Sequence, residues 1–237
     1  MNAEGLHTIL VPGLCCTARV YESVYTDVWA YGPVTIADTR RDNTIPAIAE
    51  RVLADAPERF ALAGYSMGGY IAFEVVRQAP DRVLALALIS TAASPDTPDQ
   101  AADRRQQLEL TRNGKFDQLV DAAFAVLPSA ANSNRHDLAA FWSEMAHEVG
   151  PDAFCAQLQA VTGRADSRPL LANIKCPTTV IHGADDRLIP VEHAHRTASA
   201  IPHATRVIID GAGHMLPQEQ PDAIRGAVRA WLQQAVT

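Results

Sequence analysis

The chain has 237 residues, 48% of them hydrophobic and 20% charged, with a formal charge of -7; that composition excludes a disordered or fibrous polymer. Its Lys and Arg residues are scattered, so there is no basic patch suited to a nucleic-acid backbone or an anionic bilayer. The longest fully apolar run, Val83 to Ile89, is far short of the roughly 20 residues that span a membrane.

The opening stretch MNAEGLHTILVPG has neither the basic start nor the long apolar segment of a secretory leader, and a soluble, cytoplasmic protein is expected. Cys15 and Cys16 are adjacent, and Cys155 and Cys176 stand apart, without a CxxC pair. All four read as reduced thiols.

In chain order, strands are expected at His7 to Gly13, Gly32 to Asp38, Arg59 to Ser66, Arg82 to Ser90, Thr178 to Gly183 and Thr205 to Gly211. Each packs β-branched and aliphatic residues between turn formers. Their near-continuous apolar content implies burial on both faces, as in a parallel sheet covered by helices. Helical stretches fall between them, at Arg19 to Ala30, Ile45 to Ala56, Met67 to Ala79, Val191 to Ala200 and Asp222 to Ala235. Prolines mark several of their boundaries. The alternation argues for a doubly wound α/β sheet.

Between Ser94 and Leu171 the alternation stops. Four helical segments replace it, at Asp99 to Asn113, Lys115 to Val126, Asn134 to Val149 and Pro151 to Val161. The expected division is a core of 1–93 and 172–237 with an inserted helical cap at 94–171. Arg104, Arg105 and Arg112 in this insert could contact a substrate carboxylate, but they alternate with acids and read as a solvated face. Phosphate-binding glycine patterns fail at both Gly114-Lys115 and GAGHML, so a nucleotide cofactor is not expected; without a CxxC pair nothing suggests zinc, and no metal is expected.

The most informative segment is Gly64-Tyr65-Ser66-Met67-Gly68-Gly69, a G-x-S-x-G pattern set between an expected strand and an expected helix. An abrupt strand-to-helix turn strains the residue at its apex, and the residues two positions away must lack bulk. Gly64 and Gly68 meet that need. The helix beginning at Met67 aims free N–H groups at any negative oxygen forming near the Ser66 hydroxyl.

A serine is a weak nucleophile at neutral pH and needs a base, itself oriented by a carboxylate. In a strand-Ser architecture the order along the chain is Ser, acid, His. HGADDRLIP supplies Asp185 and Asp186 after the penultimate strand, and GAGHMLPQEQP supplies His214 after the last. His182 precedes the acidic loop and is the weaker base candidate. His193 and His195 lie two apart on a helix, so they face different ways and read as solvated.

Through GYSMGG, GADDRLIP, GAGHMLPQEQP and the early LVPGLCC, the chain resembles the α/β-hydrolase superfamily, and within it the small capped esterases and lactonases. The resemblance implies a mostly parallel sheet of about six strands, flanked by helices and carrying a helical cap. It places the nucleophile on Ser66, the base on His214 and the orienting acid on Asp186, leaving Asp185 to brace the loop. The implied oxyanion hole uses the backbone N–H of Met67 and of Leu14, with Cys15 as the fallback donor. Pro12-Gly13 stands where that family usually has His-Gly, and the chain lacks the antiparallel strand pair that often precedes the first strand.

The resemblance also implies a carboxylic ester or lactone hydrolase that works through an acyl-enzyme without a cofactor. A C–C bond hydrolase, a cofactor-free haloperoxidase and a non-catalytic ligand receptor on the same fold stay open as alternatives. Cys15, Phe124, Leu127, Trp142, Met145 and Phe154 are the candidates for a pocket wall; if they face Ser66, the substrate is a small to medium hydrophobic ester. Phe116, Leu119 and Leu158 belong with the last five of these to the apolar residues at helical spacings in the cap, most of which are expected to glue the cap to the sheet and the rest to face the pocket. The expected partner is that small molecule alone, and the sequence leaves the oligomeric state open.

Overall fold

The computed structural model describes residues 5–236; the first four residues of the stretch inspected for a leader lie outside them. Six strands form one sheet: β1 (Thr8–Val11), β2 (Val34–Ile36), β3 (Phe60–Tyr65), β4 (Val83–Ile89), β5 (Thr178–Gly183) and β6 (Thr205–Ile209), in spatial order β2-β1-β3-β4-β5-β6. All five pairings are parallel. Strand order reverses between β1 and β3, and the carboxyl ends beside that reversal are where open α/β sheets hold their ligands.

The period of two along each strand splits the core between the two faces. Ile9, Val11, Phe60, Leu62, Leu86 and Leu88 point to one side, against α2 (Ile45–Asp55), α3 (Met67–Gln78) and α7 (Glu192–Ala200). Ala61, Ala63, Ala85, Ala87 and Ile89 point to the other, against α9 (Pro221–Val236). Alanines on this face let the fully buried Trp231 of α9 approach the sheet closely.

The first helical stretch divides into a 3-10 segment, Ala18–Val24, and a short α1 (Tyr25–Trp29). Between β4 and β5 lie α4 (Pro98–Arg112), α5 (Phe116–Phe124) and α6 (His136–Thr162). The two expected last segments of this insert run on as α6 across a break at Gly150, whose φ of 78° and ψ of 166° are not helical. Pro151 follows directly, and its ring cannot continue the preceding turn. α4 starts at a capping box between Thr97 and Gln100. The short α8 (Leu216–Glu219), just after His214, carried no periodic signal.

All four cysteines are free. Among the described residues no helix is long and apolar enough to cross a membrane.

Candidate active site

Ser66 sits at the apex of the turn from β3 to α3 with φ 53° and ψ -115°, a conformation that costs a non-glycine residue of order 1–3 kcal/mol. Packing holds it there. A Cβ on Gly68 would stand 2.0 Å from the Val11 carbonyl oxygen, and one on Gly64 would stand 2.3 Å from the Gly68 oxygen. The Ser66 N–H donates to Ile89 O at 2.9 Å, while the Thr91 hydroxyl donates to Ser66 O at 2.8 Å.

His214 Nε2 lies 2.9 Å from Ser66 Oγ, and His214 Nδ1 lies 2.8 Å from Asp186 Oδ2. With its proton on Nδ1 donated to Asp186, the imidazole accepts from the serine hydroxyl through Nε2. Asp186 is buried, and its other oxygen accepts from the N–H groups of Leu188 at 2.9 Å and Ile189 at 2.8 Å. Burial alone would raise the Asp186 carboxyl pKa, but His214 and the Ile189 N–H outweigh it and hold the group below the usual carboxylate value. Asp185 is exposed; its backbone N–H, donating to Ala212 O at 2.9 Å, braces the loop in place of its side chain.

His182 is fully buried, with Nε2 on Ile189 O at 2.8 Å and 3.4 Å from Asp186 Oδ2. Burial lowers its pKa, so it stays neutral behind the acid; the ring touching Ser66 belongs to His214.

The Met67 N–H opens α3 and has no intrahelical partner. Among the described residues the Leu14 N–H has no hydrogen-bond partner either, whereas the Cys15 N–H donates to Gln157 Oε1 at 3.0 Å. Burial pushes the Cys16 thiol up to about 12 and Cys15 well above its ordinary value. Both are un-ionised neighbours of the site, without thiolate character.

A cavity of about 410 Å³ opens at Ser66 and His214. Cys15, Leu127, Trp142, Met145 and Phe154 line it as expected. Phe124 does not; it packs, half-buried, against the hydrophobic cluster that holds the insert to the core. Two polar residues read as solvated also line it, Arg104 and His193. α4 and α7 are rotated so that one polar face meets the cavity, which their sequence periodicity does not reveal.

Several supporting residues escaped sequence reasoning. Glu219 is buried and accepts from the N–H groups of Gly213 and Ser129, both at 2.8 Å, and from Asn132 Nδ2 at 2.9 Å, tying the His214 loop to the insert. The His214 N–H donates to Leu127 O at 2.7 Å, and the Tyr65 hydroxyl donates to His214 O at 2.7 Å. Gln157, fully buried on α6, joins Cys15 to Thr39, donating to Thr39 Oγ1 at 3.0 Å. Of these, Glu219 and Tyr65 lie within motifs visible in the sequence, Glu219 in GAGHMLPQEQP and Tyr65 in GYSMGG.

The strand order, the serine elbow and the Ser-His-Asp contact define the class of open α/β folds that present a nucleophile above the sheet. A family model for the alpha/beta hydrolase fold matches residues 55–221. The chain belongs to that family. A pimeloyl-[acyl-carrier protein] methyl ester esterase of Edwardsiella ictaluri is 31% identical, covering 90% of this chain and 82% of its own length. Another, from Pectobacterium atrosepticum, is 28% identical over 96% of this chain and 84% of that one. Among solved structures, a thermophilic esterase from Thermogutta terrifontis superposes with a TM-score of 0.90 at 27% identity, over 99% of this chain and 92% of that one. An enol-lactonase from Burkholderia xenovorans, at 23% identity and a TM-score of 0.88 over 98% of this chain and 92% of that one, shares the fold.

Proposed function

We propose that this protein, a serine hydrolase of carboxylic esters, works through Ser66 as nucleophile, His214 as general base and Asp186 as the acid that orients the imidazole. The observation that carries the assignment is the unbroken contact from Asp186 through His214 to a strained serine at the mouth of a cavity.

Ser66 Oγ attacks the ester carbonyl while His214 Nε2 takes its proton; Asp186 stabilises the imidazolium that forms. The oxyanion is held by the N–H groups of Met67 and Leu14, where one lost donor costs about 10²- to 10³-fold in rate. The engagement of the Cys15 N–H by Gln157 favours Leu14 as the second donor. His214 then protonates the leaving alcohol, and a water activated by the same imidazole releases the acid. Residues 94–171 act as a cap that roofs the acyl site, with Leu127, Trp142, Met145 and Phe154 offering an apolar wall to a small or medium acyl chain. The esterases similar to this chain support the reaction class.

The test is p-nitrophenol release from short-chain esters by wild type and Ser66→Ala, with a serine-directed phosphonate as a label. Turnover confined to wild type and stoichiometric labelling of Ser66 are expected. A wild-type protein inert toward every ester offered favours the ligand-receptor alternative and ends the esterase reading.

A further inference from the structure

One stretch of the cavity wall carries a charge cluster that ester cleavage does not use. Asp96, with its side chain 3% exposed, accepts from Arg104 Nε at 2.6 Å and Nη2 at 3.3 Å, and from Arg164 Nη1 at 2.6 Å. The Arg164 side chain is 6% exposed; it also donates to the carbonyls of Ser94 and Val161, and its guanidinium stacks 4.3 Å above the Tyr70 ring. Two guanidiniums thus share one carboxylate whose oxygens are both engaged, leaving the cluster with one uncompensated positive charge.

The donors of this cluster are not exhausted. Among the described residues, Arg104 Nη1 and Arg164 Nη2 have no acceptor, and the hydroxyl of Tyr70, a residue 8% exposed, has no hydrogen-bond partner. Burial pushes the Tyr70 phenol above its ordinary pKa and keeps it a donor. Arg104, Arg164 and Tyr70 all line the same cavity as Ser66 and His214. The other titratable groups on that wall do not cancel the charge. Asp103 is exposed and screened by water, and burial holds His193 below its usual pKa and therefore neutral. Asp186 is already matched by His214.

We propose that Arg104, Arg164 and Tyr70 form a carboxylate subsite, so that the preferred substrate is an ester bearing a free carboxylate at the far end of its acyl chain. The inference rests on the ester-hydrolase reading and narrows its substrate class. A carboxylate there accepts from buried cationic donors, whereas a plain alkyl terminus leaves those donors unpaired, and the difference sets the preference.

The experiment compares methyl monoesters of four- to eight-carbon α,ω-diacids with methyl esters of the matching monoacids. In wild type, kcat/KM is expected to favour the charged ester at one or more chain lengths, and Arg104→Gln to lower the charged-to-neutral ratio by roughly 10- to 100-fold, the range of a charge-assisted hydrogen bond. Arg104→Lys restores part of the ratio. Tyr70→Phe, which removes only the hydroxyl, lowers it by about 3- to 10-fold, the range of an ordinary hydrogen bond, and reads the subsite even if Arg104→Gln folds poorly.

A ratio unchanged by these substitutions, or neutral esters preferred at every length, overturns the subsite while p-nitrophenyl acetate turnover leaves the hydrolase assignment standing. If that turnover is itself missing, calorimetric binding of the same esters to Ser66→Ala decides the subsite. Tighter binding of the charged series that weakens on adding Arg104→Gln supports it, and equal binding of both series refutes it.

Discussion

Asp186→Asn changes one atom in a fully engaged carboxylate. Asp186 Oδ1 accepts from two backbone N–H groups, Leu188 at 2.9 Å and Ile189 at 2.8 Å, and Oδ2 accepts from His214 Nδ1 at 2.8 Å. If the new amide keeps its oxygen toward the two backbone donors, its NH2 must face His214 Nδ1. The imidazole then carries its proton on Nε2 and points a donor at Ser66, so it no longer acts as a base. Flipping the amide to rescue the tautomer sets its NH2 against two N–H groups and costs about 1–3 kcal/mol for each donor left unpaired, or about 2–6 kcal/mol together. At 1.36 kcal/mol per decade, that leaves the productive arrangement about 30- to 3 × 10⁴-fold rarer.

The loss of charge beside the imidazolium adds to this, so kcat is expected near the upper end, close to the roughly 10⁴-fold loss of the same swap in a serine protease triad. Steady-state hydrolysis of p-nitrophenyl acetate measures it, with Asp185→Asn as the control. Asp185 is exposed and contributes only its backbone to the loop, so the control is expected within about twofold of wild type, as ordinary surface substitutions are. A loss below tenfold in Asp186→Asn, or an equal loss in Asp185→Asn, refutes the assignment of the acid.

Gly68→Ala places a Cβ 2.0 Å from Val11 O and 2.9 Å from Pro12 O, both backbone atoms that cannot step aside; thermal melting should show a loss of about 3 kcal/mol or more, or no soluble protein. Arg82 donates to the carbonyls of Leu53, Ala56, Pro57 and Glu58 at the end of α2, so Arg82→Ala is expected to destabilise by roughly 2–3 kcal/mol in urea unfolding without a change in KM. Gln157→Leu frees the Cys15 N–H beside the left-handed Cys15 (φ 54°) and unseats the loop carrying Leu14; kcat should fall about tenfold or more with KM little changed, whereas a pure KM effect would point to an acyl-wall role. The Asp186 carboxyl lies below its ordinary pKa in the fold, so the unfolded chain binds its proton first on acidification. Its share of stability is present above about pH 4 and lost as pH falls through the folded value. Between pH 4 and 2, unfolding free energy should fall less steeply in Asp186→Asn than in wild type.

The serine elbow and the sheet were legible because both are set by local rules. A period of two with apolar residues on both faces can only be satisfied between two helix layers, and glycines flanking Ser66 are demanded by a turn only a few residues long. The end of α6's first half at Gly150-Pro151 is local in the same sense. Sequence alone separated His214 from His182 by chain order, without showing that His182 lies buried behind Asp186.

The amino-acid order by itself determined the six parallel strands, the elbow at Ser66 and the loops that carry Asp186 and His214, since each follows from periodicity and backbone sterics within a few residues. Only the tertiary structure decided which way the helices of the insert turn. Arg104 and Arg105 are neighbours on α4, yet Arg104 shares Asp96 with Arg164 inside the cavity while Arg105 is exposed; Phe124 packs away from the cavity that Phe154 enters. A helical face is defined by its own sequence, but its orientation is set by contacts with residues as much as 142 positions away, as between Gln157 of α6 and Cys15. Those contacts exist only once the chain has closed on itself.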